Sequence, residues 1–136
     1  MTGEAQLNRI RKRGKRILIA MEDELGRVLL MAMLHQDGYR CMFEAKSLVQ
    51  ALNFNRNVAL DLLGVDHTIG TINADMFVNI LRENGLPQAV PVVVIQRSVD
   101  HRLTLAAKAG KLNYLVEHPV DFHGRLKQPL ERILNL

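Results

Sequence analysis

Five short apolar runs, each followed by a segment with helical periodicity, set the narrowest limit on what this chain can fold into. The runs are Ile17–Ala20, Cys41–Phe43, Leu62–Val65, Val90–Ile95 and Tyr114–Val116. Each is short and bounded by turn or polar residues, which reads as strand, and VPVVVI at 90–95 is the most β-branched of them. Between the runs, Leu25, Val28, Leu29 and Ala32 recur at i, i+3, i+4 and i+7 and are read as the inward face of a helix that Gly38 ends. Leu48, Ala51 and Leu52 form a second such face, closed by the Asn-rich stretch 53–57. Phe77, Ile80 and Leu81 form a third, within 75–84 and stopped by Gly85 and Pro87. Residues 99–109 form a fourth helix ending at Gly110. After a break at His118-Pro119, Phe122, Leu126, Leu130, Ile133 and Leu134 define a fifth, which Pro129 kinks or delays.

Five strands alternating with five helices specify a parallel sheet with right-handed crossovers and helices on both faces. The expectation is an α/β, doubly wound, flavodoxin-like five-stranded sheet of order 2-1-3-4-5. Within it the stretch 58–69, VALDLLGVDHTI, carries the chemistry. Leu62–Val65 holds no charge and reads as a fully buried strand, and Asp66 then stands at its carboxyl end, where open α/β sheets bind ligands. A lone Asp after a strand also serves simply to cap a turn or the next helix.

Size and charge exclude several classes. With 136 residues the chain is long enough for one domain with a true core. No apolar run reaches membrane-spanning length, and the start of the chain lacks the apolar segment of a signal peptide. The single cysteine, Cys41, allows no internal disulfide and fits a reducing cytoplasm; no Cys/His group has zinc spacing. The net charge of +4 is uneven: residues 1–16 hold six Lys/Arg against one acid, and the other 120 hold 12 basic and 13 acidic residues. Residues 1–14 are therefore read as a basic, flexible leader and 15–136 as the folded domain. No aromatic interleaving or recognition-helix pattern marks the domain for nucleic acid, and nothing marks it for a membrane.

From residue 15 to residue 135 the chain resembles a response-regulator receiver domain of two-component signalling. KRILIAMEDE, 15–24, resembles the family's first strand and acidic turn. HQDGYR, 35–40, resembles the segment before strand two. Asp61–Asp66 resembles the third strand, whose last Asp accepts a phosphoryl group. VPVVVI resembles strand four, and AAKAGKLNYLVEHP, 106–119, resembles the segment around strand five. The resemblance implies a signalling module and not an enzyme, with phosphoryl transfer from a partner histidine kinase to Asp66, assisted by Mg²⁺, a hydroxyl side chain and a lysine. This is positioning and charge stabilisation with little covalent work by the protein.

Measured against that pattern, the acceptor is present and its support is altered. The first acidic position is Met21, whose soft thioether does not suit Mg²⁺. Glu22 and Asp66, with the Thr68 carbonyl by family analogy and Asp23 nearby, would hold the ion weakly. Gln96 replaces the hydroxyl residue. Arg97 follows it, and either supplies positive charge to the pocket, pairs with Asp66 or Glu22 to lock it, or points into solvent. Ser98 is read as a helix cap. Tyr114 matches the aromatic position that rotates in the family, or packs at a strand edge. No lysine precedes Pro119; Glu117 takes its place by count and His118 by the following proline, and nearby carboxylates would favour protonated His118.

Three functions follow. The first is an atypical receiver, weakly phosphorylated or not at all, acting by protein–protein contact with a sensor kinase or other signalling protein, or pairing with itself through the face of the fourth helix, fifth strand and last helix. The second is a working phosphoacceptor at Asp66. The third is an unrelated flavodoxin-like enzyme or small-molecule binder, against which the absence of a glycine-rich phosphate loop after strand one counts.

Overall fold

Strand residues in the structure alternate between two apolar layers, and that alternation places every other element. The computed structural model describes residues 2–118 and 120–136. Pro119, expected to help break the last strand, lies outside the described residues.

The main sheet consists of β1 (Arg16–Ala20), β2 (Cys41–Ala45), β3 (Leu62–Asp66), β6 (Val92–Gln96) and β7 (Tyr114–Glu117). All its pairings are parallel and its order is β2-β1-β3-β6-β7. This is the doubly wound order expected from the sequence. Leu18, Ala20, Leu63, Val65, Val92 and Val94 point into one core layer. They pack there with residues of α3 (Leu48–Asn57), α4 (Ala74–Glu83) and α5 (His101–Lys108). Ile17, Ile19, Leu62, Val93 and Ile95 point into the other, against α2 (Glu24–Gln36) and α6 (Lys127–Ile133). Burial of both faces explains why the strands read as continuous apolar runs.

Two segments depart from the sequence reading, and a third behaves as expected. The segment after β3 folds as a small antiparallel hairpin, β4 (Thr68–Ile69) with β5 (Ile72–Asn73). Gly70 occupies its turn with φ +62°, a left-handed conformation that glycine adopts freely. The Asn-rich stretch 53–57 does not end α3 but completes it. Asn57 bonds back to the Asn53 carbonyl, and Asn55 reaches the Leu81 and Asn84 carbonyls, tying α3 to the end of α4. Side-chain amides that compete with a helix in isolation are here satisfied by a neighbouring helix. Pro129 delays the last helix as expected: residues 122–126 form one wide turn, closed by the Lys127 N–H on the Phe122 carbonyl, and Pro129 then falls in the first turn of α6.

The largest departure concerns α2. The stripe expected to face inward faces out: Leu25, Val28 and Leu29 are 67%, 51% and 54% exposed. Arg27, Leu30 and Leu34 are buried instead. The helix carries two apolar stripes, and polar bonding selects between them. Asp23 caps the first turn through the Gly26 N–H, and Arg27 reaches inward to the Met21 carbonyl at 2.9 Å and to Glu44 at 2.8 Å.

The N-terminal segment also differs. Residues expected to be a flexible leader form helix α1 (Gly3–Gly14), capped by Thr2. Lys12 anchors it. Its ammonium lies 3.0 Å from Asp37 and 2.9 Å from Glu131, with the side chain 5% exposed and stacked over the Tyr39 ring. Burial works against the charged amine, yet the bonds to Glu131 and Asp37 outweigh it and raise its pKa above the ordinary value. Charge counting sees six cations near the chain start; it does not see that one of them meets two carboxylates from distant segments. No helix among the described residues is long and apolar enough to cross a membrane.

Lys12→Met keeps the stem and removes the charge, so Asp37 retains only Lys127, at 3.4 Å. The expected result is a loss of about 1–3 kcal/mol in urea unfolding, below what a fully buried pair costs to break because Glu131 is partly exposed and Lys127 still faces Asp37. Amide exchange should become fast throughout 3–14 while the sheet stays protected.

Candidate functional site

Parallel strands deliver their carboxyl ends to one edge, and the chain's most unusual buried charge sits there. Asp66 closes β3 and is 4% exposed. A carboxylate that deep requires compensation. One oxygen accepts the His67 N–H at 2.9 Å, and the other accepts from the Arg97 guanidinium at 3.3 Å. Arg97 follows the end of β6, the neighbouring strand, so sheet register alone brings it over Asp66. Its side chain is 43% exposed, which makes the pair a weak lock on the order of 1 kcal/mol.

The other residues singled out by sequence occupy separate places around this pair. Glu22 does not point at Asp66; its carboxylate accepts the Gly70 N–H of the hairpin turn at 2.5 Å. Asp23 is committed to capping α2. Thr68 is paired with Asn73 in the hairpin. Met21 is buried and lines an apolar cavity of about 220 Å³ with Gly26, Leu29, Leu30, Met33, Ile95, His118 and Val120. His118 thus lies on that cavity, its backbone N–H bonded to the Gln96 carbonyl. Gln96 lines a different cavity, of about 360 Å³, with Tyr114, Glu117, Asp121 and Arg125, and its side-chain oxygen is buried with no hydrogen-bond partner among the described residues. The Tyr114 hydroxyl donates to the Arg125 carbonyl at 2.7 Å. Ser98 does not cap α5; Asp100 does, through the Arg102 N–H.

A divalent cation finds little here. Its ligands would be a carboxylate paired with arginine, a carboxylate turned to a backbone N–H, and a buried thioether. The described residues bring together no group of three or more His, Cys, Asp or Glu side chains able to hold a metal ion. The site residues therefore do not fit Mg²⁺ as arranged.

Two pairings escaped the sequence reading. His67, directly after Asp66, bonds Asp100 through Nε2 at 2.8 Å, while its Nδ1 lies 3.5 Å from the Arg97 N–H. It ties the end of β3 to the cap of α5 across the rim. Asp100 is legible in retrospect as an acid directly before a periodic segment, but pairing with a histidine 33 positions away leaves no local trace. Arg27 makes the other: a cation in the middle of an apolar helix, whose partners Met21 and Glu44 come from two strands' ends.

No protein-family model matches the chain, and no curated protein matches it in sequence. Solved structures do match in shape. A signal receiver domain of an HD domain-containing protein from Pseudomonas fluorescens Pf-5 superposes with a TM-score of 0.78 at 17% identity, over 89% of this chain and 94% of that one. A two-component response regulator from Clostridium difficile gives 0.77 at 16%, over 89% and 96%. A non-phosphorylated receiver domain from Leptospira biflexa gives 0.73 at 24%, over 90% and 95%. What these likenesses establish is the fold, that of receiver domains.

The hydrogen bond from His67 holds the Asp100 carboxyl below the usual carboxylate range, against a smaller opposing effect of burial. A depressed carboxyl stabilises the fold above its ordinary pKa and loses that contribution as the pH falls through its folded value. Carbon NMR should therefore find the Asp100 midpoint below that of an ordinary Asp. In His67→Ala it should move up towards the ordinary value.

Proposed function

We propose that this chain is an atypical receiver module of two-component signalling, which works by protein–protein contact and takes a phosphoryl group at Asp66 poorly or not at all. The observation that carries this reading is the Arg97–Asp66 ion pair. The guanidinium covers the oxygen that would have to attack, and it already supplies the positive charge that metal and lysine supply in a working site. Glu22, the surviving acid after β1, is drawn off to the hairpin. A ligand shifts a conformational equilibrium only through contacts that differ between states. Gln96 and Tyr114, in the positions where the family places its switch, look into the β7-side cavity and make no bond to Asp66. The partners are a sensor histidine kinase or another signalling protein, in keeping with the receiver domains whose fold the chain shares.

A second reading keeps Asp66 as a phosphoacceptor, and one observation favours it. Arg97 is 43% exposed, so it can swing aside and then clamp the phosphoryl oxygens. Incubation with Mg²⁺ and acetyl phosphate or beryllofluoride, read by intact mass and amide NMR, separates the two. We expect no labile phosphoryl mass on the wild type and no shifts in β6 or β7. Arg97→Ala should then show small shifts around Asp66 with beryllofluoride, because the competing cation is gone. Stoichiometric, Mg²⁺-dependent labelling of the wild type, lost in Asp66→Asn, would overturn the proposal.

A further inference from the structure

Two helices leave apolar faces uncovered, and the charges beside those faces are opposite. On α1, Asn8 and Lys12, one turn apart, face the body of the protein, with Arg9 and Lys12 against Gly38. Leu7 and Ile10 consequently face away and are 45% and 62% exposed. Helical spacing sets Arg11 on one side of that pair and Arg13 on the other, both exposed. On α2 the outward stripe is Leu25, Val28, Leu29 and Ala32. Beside its first turn stand Glu22, Asp23 and Glu24, all exposed. Isolated exposed aliphatics are ordinary, but a stripe of them along a helix marks an interaction surface.

The two faces cannot meet within one chain. Lys12 fixes α1 against Asp37, the C-terminal cap of α2, and turns Leu7 and Ile10 away from the body. The acidic rim lies at the opposite end of α2, 13 residues or about 20 Å along the helix.

We propose that α1 of one copy docks on the outward stripe of α2 of a second copy, Leu7 and Ile10 against Leu25, Val28 and Leu29, with Arg11 and Arg13 beside Glu22 and Glu24. One such helix pair is small for a lasting interface. A two-fold dimer makes the contact twice between the same two copies, and an open head-to-tail array makes it once between each pair of neighbours. The interface requires neither Mg²⁺ nor a phosphoryl group, so it stands independently of what happens at Asp66.

Sedimentation velocity on the full chain tests it. Association should rise with concentration and weaken when NaCl is raised from about 0.1 M to about 1 M, where the screening length falls from about 10 Å to about 3 Å. Leu7→Gln/Ile10→Gln and, separately, Leu25→Gln/Val28→Gln should each weaken association about tenfold or more, since buried aliphatic area is lost. Circular dichroism should stay unchanged in both, because all four side chains lie on the surface. Mixing the two variants restores one intact α1–α2 pair and should restore association between unlike chains. A chain that stays monomeric at every concentration would overturn the proposal. So would association indifferent to the α1 changes, or mixing without recovery. A monomer that instead binds duplex DNA through Arg11 and Arg13 would also overturn it, assigning α1 to nucleic acid.

Discussion

A carboxylate almost wholly removed from water at the end of the central strand is the constraint around which the carboxyl edge of this sheet is arranged. Burying such a group is costly unless a cation or several donors face it. Two solutions exist for a charge of this kind: a bound metal with neighbouring acids, or a cation built into the chain. Here Arg97 and the His67 N–H perform that task. Met21, just beyond β1, joins the apolar packing under α2. Glu22 fastens the hairpin that follows the strand.

The same logic of internal compensation explains α2 and α1. Arg27 is 2% exposed and selects which apolar stripe of α2 faces the core, because only one rotation of the helix lets the guanidinium reach Met21 and Glu44. Lys12 does for α1 what Arg27 does for α2: one basic side chain, turned inward to meet acceptors on other elements, decides the orientation of a whole helix. In both cases the aliphatic residues left outside are those on the side of the helix turned away from the cation.

That also accounts for what the sequence did and did not disclose. Strand positions were legible because burial on both faces leaves runs such as Leu62–Val65 and Val92–Ile95 with no polar member except at their ends. Strand order does not follow from spacing; the order expected was the common one for five such units, and the sheet has it. The inward face of α2 was misread, since periodicity counts apolar residues and gives a buried arginine no weight. Helix α1 was misread for the same reason: Lys12 looks like any other cation until Asp37 and Glu131 are brought to it. At the functional edge, Asp66 was legible from its place after a strand, and the pairing with Arg97 was among three alternatives the residues left open. His67–Asp100 was not legible, because a bond between residues 33 positions apart depends on the finished sheet.

The Lys12–Glu131 contact joins residues near the two chain ends, and the last residues, Leu134–Leu136, lie with Arg11, Gly14 and Asp61 around a shared hollow. Asp61 stands just before β3, so the end of α1 and the last residues of the chain gather at the pole from which that strand departs, about 16 Å from the pole at which Asp66 arrives. A tether or fluorescent tag attached after Leu136 would leave from that far pole. The rim carrying Arg97 and His67 would stay open to whatever approaches it.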